Sequence, residues 1–185
     1  SSELPALVGD GGVFLDGLDA GVTIDCGGAD VGFWVRAPDV TIEGLTVHGC
    51  RGTGFLSGGA IRIDGAADRV TIRRMSLFDN DGSGVFVYVD RRHEVHVEDS
   101  EFHDNRFDSI HVQRERRPDA GSCDGPRSTI SRNRITNSGT GFGEGGIFLV
   151  GTDCYDVIEN DVASCEATGI KLTASGNLNR VLRNR

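Results

Sequence analysis

Along most of the chain, aliphatic residues alternate with polar ones over short runs, and Gly, Asp, Asn or Ser separates one run from the next. Five such runs, "IRID", "VFVY", "IHVQ", "IFLV" and "IKLT", begin at Ile61, Val85, Ile110, Ile147 and Ile170. Period-two alternation marks each as a short strand with one buried face. Their starts lie 24, 25, 37 and 23 residues apart. A second strand family falls between them: "VTID" at Val22, "VTIE" at Val40, "VTIR" at Val70, "VHVE" at Val95 and "VIEN" at Val157. Recurrence at this period signals a repeat architecture. No stretch carries the 3.6-residue periodicity of a helix, which removes leucine-rich and helical solenoids. A propeller would need blades of about 40 residues with signatures of their own.

The pattern therefore predicts an all-β chain folded as a single-stranded right-handed parallel β-helix (a solenoid) of about 6–7 coils. Neighbouring coils would stack about 4.8 Å apart through backbone hydrogen bonds. Aligning "LTVHGC", "MSLFDN", "SEFHDN", "RITN" and "DVASC" places Cys50, Asn80, Asn105, Asn137 and Cys165 in one turn column. Stacked Asn side chains exchange amide hydrogen bonds between coils and tolerate the left-handed backbone of such turns. Residues 1–185 read as one β-helix domain, with 1–20 as a candidate N-terminal cap. The closing "NLNRVLRNR" reads as part of a coil, an edge through which another chain could associate.

The segments "VTIEGLTVHGC", "VTIRRMSLFDNDGSG" and "VHVEDSEFHDNRFDS" resemble coils of the pectate-lyase-like β-helix superfamily. That superfamily includes polysaccharide lyases, mannuronan C5-epimerases, some glycosidases, phage tailspikes and non-catalytic carbohydrate-binding solenoids. The resemblance spans residues 20–185 and implies a polysaccharide or glycan as the partner. "YVDRRHE" is similar to the Asp-Pro-His-Glu element of the epimerases, with Asp90, His93 and Glu94 as the matching residues. It departs by one extra residue before the histidine and by lacking the proline. The paired-aspartate signatures of polygalacturonases are absent.

Composition narrows the partners. Gly is 27 of 185 residues with no Gly-X-Y period, so turns are frequent and collagen is excluded. A net charge of −9 argues against nucleic acid, and no apolar stretch approaches the length of a membrane span. Of the five cysteines, Cys26 and Cys50 fall on successive coils within disulfide reach. Cys123 and Cys154 follow one strand family on successive coils and form a second candidate pair, leaving Cys165 as a small buried hydrophobe. Two disulfides would place the protein outside the reducing cytosol, secreted or periplasmic; buried reduced thiols are the competing reading. No cofactor is expected. Calcium is the one ion the turns offer oxygens to, as in "FDNDGSG", although Asp79 and Asp81 alternate and no compact cage is evident.

Alternation sends the second and fourth residues of the Ile61-type strands outward. The second-position row reads Arg62, Phe86, His111, Phe148, Lys171, and the fourth-position row Asp64, Tyr88, Gln113, Val150, Thr173. If "FWVR" is the preceding coil, Trp34 and Arg36 extend both rows. The long interval after Ile110 adds a loop, "RERRPDAGSCDGPR", opened by Arg114, which reads either as a groove wall or as a solvated charge run. Aromatic faces and cations suit an acidic polysaccharide. Phe86, Phe148, Gln113, Asp64, Trp34 and Arg114 are the candidate substrate contacts. For lyase or C5-epimerase chemistry, Arg62 or Lys171 would neutralise the uronate carboxylate, His111 would take the C5 proton and Tyr88 would donate one. Asp64 is the only carboxylate in these rows, which disfavours two-carboxylate glycoside hydrolysis. The competing function is a non-catalytic β-helix that binds glycan or serves as an adhesin or stalk.

Overall fold

The computed structural model describes residues 7–52, 58–89, 93–114, 123–140, 145–174 and 178–185. All regular structure in them is β. The first rung carries β1 (Val13–Asp16), β2 (Thr23–Asp25) and β3 (Val31–Val35), the next β4 (Val40–Glu43), β5 (Thr46–His48) and β6 (Gly59–Asp64). Then follow β7 (Val70–Arg73), β8 (Ser76–Phe78) and β9 (Ser83–Val89), and β10 (Val95–Glu98), β11 (Glu101–His103) and β12 (Ile110–Arg114). After these come β13 (Ser128–Ser131), β14 (Arg134–Thr136) and β15 (Gly145–Val150), and β16 (Tyr155–Ile158), β17 (Asp161–Ala163) and β18 (Thr168–Thr173). Finally β19 (Arg180–Leu182) starts a further turn.

Strands of one kind stack in parallel. Sheet I runs β1-β4-β7-β10-β13-β16-β19, sheet II β2-β5-β8-β11-β14-β17 and sheet III β3-β6-β9-β12-β15-β18. The chain is thus a three-sided parallel solenoid. Inward residues of the three sheets meet on its axis. In sheet III, Ile61, Ile63, Val85, Val87, Ile110, Val112, Ile147 and Leu149 are all buried, as are Ile42, Ile72, Val97, Ile130 and Val157 of sheet I. Each such side chain contributes about 1.5–3 kcal/mol through burial. Phe102, the largest inward residue of sheet II, needs a gap opposite it. Gly84 supplies it, since a Cβ there would lie 2.6 Å from the Phe102 ring.

The turn between sheets I and II places Gly44, Arg74, Asp99, Arg132, Glu159 and Arg183 in the left-handed region, with φ between 50° and 70°. The residues that follow form a continuous ladder. The Met75 amide donates to Ser100 Oγ at 3.1 Å, Ser100 to Asn133 Oδ1 at 3.1 Å, Asn133 to Asn160 Oδ1 at 3.0 Å and Asn160 to Asn184 Oδ1 at 2.9 Å. From Arg74 onward the left-handed column also alternates in sign. Arg132 grips Asp99 through Nε at 2.6 Å and Nη2 at 2.8 Å, and Arg183 reaches Glu159 at 2.8 Å.

The turn after sheet II carries the asparagine column expected from the sequence, with one correction. Asn80 Oδ1 accepts the Cys50 amide at 3.1 Å, and Asn80 Nδ2 donates to Asn105 Oδ1 at 2.9 Å. Because His103 pairs with Thr136, the residue beneath Asn105 is Ser138, not Asn137. Asn137 instead occupies the exposed left-handed position shared with Asp79 and Asp104. Both expected disulfides are present, Cys26–Cys50 with Cα atoms 4.8 Å apart and Cys123–Cys154 at 5.7 Å. Cys165 is the free thiol and is half-buried, less enclosed than the sequence suggested.

Candidate functional site

The register of sheet III builds the outward row as the alternation predicts. Trp34 lies against Arg62, Arg62 against Phe86, Phe86 against His111, His111 against Phe148 and Phe148 against Lys171. Alongside it run Asp64, Tyr88, Gln113, Val150 and Thr173. At about 4.8 Å per rung, the row from Trp34 to Lys171 is about 24 Å long.

The rings and cations of this row touch in sequence. The Arg62 guanidinium sits 5.2 Å from the Trp34 ring centroid and 5.9 Å from that of Phe86. Phe86 and His111 are 5.1 Å apart, His111 and Phe148 5.1 Å, and Lys171 Nζ is 5.1 Å from Phe148. Tyr88 stacks on Phe86 at 6.2 Å. Arg62 donates from Nε to Asp64 at 2.8 Å, and Arg114 pairs with Asp153 at 3.1 Å.

The middle of the row differs from the expectation in one respect that matters. His111 points outward from the sheet, but it is 0 % exposed, and Phe86 and Phe148 are at 1 % and 7 %. Alternation fixes which side of a sheet a residue faces and is silent about what covers that side. The sequence reading also missed a partner: His111 Nδ1 donates to Asp108 Oδ2 at 2.7 Å, and both side chains are wholly buried. A carboxylate can only accept, so Nδ1 carries a proton toward Asp108, while Nε2 lies 3.4 Å from Gln113 Oε1. The signal was the Asp-x-x-His spacing across the turn into β12.

Tyr88, His111 and a cation are not gathered at one point by these contacts. Arg62 and Lys171 each stand two rungs from His111, and Tyr88 is held on the Phe86 ring. Most of the loop between Arg114 and Arg127 falls outside the described residues, and so does Asp90 of the epimerase-like element. His93 and Glu94 lie in a different cleft, of about 320 Å³, with Asp68, Arg69, Asp124, Gly125 and Pro126. There the His93 Nε2 is 2.5 Å from the hydroxyl of Tyr155, whose pKa burial pushes well up, and Glu94 bonds His96 at 2.9 Å. Asp79 and Asp81 line a third cleft with Asp25, His48 and Arg51. Among the described residues no three or more His, Cys, Asp or Glu side chains converge to hold a metal ion.

The stacked parallel strands, the turn ladders and a continuous outward row of rings and cations define the class: a parallel β-solenoid with one elaborated face. The model of the right-handed β-helix region matches residues 59–185, and the chain belongs to that family. Comparison with curated proteins and with solved structures gave no match. Among the described residues, no helix is long and apolar enough to cross a membrane.

Proposed function

We propose that this β-helix engages an acidic polysaccharide along the outer face of sheet III, outside the cytosol, and binds it without transforming it. One observation carries the reading. The row ends in cations, with Arg36 exposed and Arg62 and Lys171 half-buried, while its centre is a closed stack of Phe86, His111 and Phe148. Such a stack is a rigid support, and the ends are the parts a polymer can reach. The disulfides Cys26–Cys50 and Cys123–Cys154 support an oxidising compartment, secreted or periplasmic.

A second reading, a lyase or C5-epimerase, is favoured by the Asp108–His111 pair. An aspartate hydrogen-bonded to an imidazole nitrogen orients the ring, as the aspartate does for the histidine base of a catalytic triad. His111 as the base would remove the C5 proton of a uronate. A lyase would then break the C4–O bond, form the C4–C5 double bond and deliver a proton to the departing oxygen. An epimerase would return a proton to the opposite face of C5.

Retention of the protein by immobilised alginate, pectate and glycosaminoglycans, against neutral glucan, tests the first reading. Ultraviolet absorbance of the unsaturated product, with proton NMR for epimerisation, tests the second. We expect retention by at least one acidic polymer and no turnover. Turnover abolished in His111→Ala and in Asp108→Asn would replace binding by catalysis, and neither retention nor turnover with any of the polymers would overturn both.

A further inference from the structure

Resting on the reading of sheet III as an acidic-glycan face, we propose that Trp34, Arg36, Arg62 and Asp64 form a subsite for the carboxylate of a uronic acid residue. The four side chains come from two adjacent rungs. Both guanidiniums lie against the same indole, Arg36 at 5.3 Å and Arg62 at 5.2 Å from its centroid. Asp64, 8 % exposed, holds both: it accepts from Arg62 Nε at 2.8 Å and pairs with Arg36 Nε at 3.4 Å. Two guanidiniums thus share one carboxylate.

The orientation of Arg36 decides what the cluster can take. Asp64 meets Arg36 at its Nε, the inner edge of the guanidinium, and half of the Arg36 side chain remains exposed. The two terminal nitrogens of a guanidinium are a planar pair of donors. That geometry matches the two oxygens of a carboxylate. Trp34 and Asp64 hold the guanidinium in place beforehand, so little side-chain freedom is lost on binding. The Trp34 indole Nε1 is itself buried without a hydrogen-bond partner, an unsatisfied donor at the same place. At the far end of the row, Lys171 Nζ stands 5.1 Å from the Phe148 ring.

Trp34 is the only tryptophan in the sequence, so its emission reports this subsite alone. Trigalacturonate would be titrated into the intact protein, with its methyl ester as a neutral match, while immobilised pectate and alginate measure polymer retention. We expect trigalacturonate to shift or quench the emission and the ester to leave it unmoved. Arg36→Gln should weaken the response about tenfold, the loss of one charge-assisted contact at a partly exposed site. Arg134→Gln, an exposed arginine of β14 on sheet II, should preserve the response. Because Arg36 is exposed, its variant should keep the wild-type melting temperature, and Arg62→Gln gives a second reading from the buried side of the cluster.

Polymer retained equally by wild type and Arg36→Gln, with unmoved emission, would overturn the subsite and leave the glycan face standing. Equal responses to acid and ester would overturn its specificity for a carboxylate. Absence of both polymer retention and an emission change would sink the glycan face and the subsite together.

Discussion

Removing the imidazole of His111 would leave the Asp108 carboxylate inside the protein without the donor now 2.7 Å away. Breaking a fully buried hydrogen-bonded pair from one side costs about 3–5 kcal/mol. His111→Ala should therefore lower the unfolding free energy by about that amount in urea titration, and Asp108→Ala by a similar amount. The double variant should lose less than the sum of the two, since the residues are in contact. A loss under about 1 kcal/mol for His111→Ala, the scale of an ordinary substitution, would show that the pair does not support the fold. The cysteines make a second expectation at this scale. One thiol per chain, Cys165, should titrate in denaturant without reductant, and all five after reduction. In the folded protein burial pushes the Cys165 thiol up, so its reaction with a disulfide reagent at neutral pH should be slow.

At the level of strands and turns, Asn160 and Asn137 separate two roles that look alike in sequence. Asn160 accepts the Asn133 amide and donates Nδ2 to Ile130 O at 2.9 Å and Asn184 Oδ1 at 2.9 Å, within a buried turn. Asn160→Ala leaves interior backbone groups unpaired and should cost about 1–3 kcal/mol. Asn137 is exposed and only has to adopt a positive φ, so Asn137→Gly should be close to neutral. Thermal melts of the two variants make the comparison. Most strands were legible, because alternation with period two is imposed by the pleat. But "VTID" at Val22, grouped with the sheet I strands by its likeness to "VTIE", is β2 of sheet II and pairs with β5, and β1 and β13 were not read as strands. The Trp34–Arg62 register, which alternation gave only on the condition that "FWVR" is the preceding coil, is the one observed. The ladder column was legible through Asn105, then misplaced by one residue, because "RITN" was matched by residue type when the strand offset demanded Ser138. The second ladder went unread because Leu45, Met75 and Ser100 occupy its earlier positions and share no side-chain type with Asn133, Asn160 and Asn184. Asp108 escaped for another reason: it sits in a turn, where no period says which residues face one another.

Across the whole molecule, carboxylates held by arginines tie rung to rung. The Arg74 and Arg73 guanidiniums keep Glu43 below its ordinary pKa, Arg69 does so for Asp39, Arg132 for Asp99, and Arg180 with Arg127 for Asp156. A carboxyl whose folded pKa is depressed contributes stability above its unfolded pKa and loses it as pH falls through the folded one. The protein should thus be insensitive to pH near neutrality and lose stability below about pH 4, the ordinary range of these groups. Melting temperatures from pH 7 down to pH 2 check this, and a flat profile would contradict it. Most of these pairs are partly exposed, so raised salt should reduce the acid-side loss.

The alternating column Arg74, Asp99, Arg132, Glu159, Arg183 acts as a parity check on the solenoid. Sliding one part of the stack by a single rung would set like charge over like, while a slide of two rungs would restore every match. Evolution or a designer could therefore lengthen or shorten this part of the protein by rungs in pairs and keep its electrostatic grammar. A single inserted rung would break it unless a neutral residue, such as the glycine at position 44, marked the join.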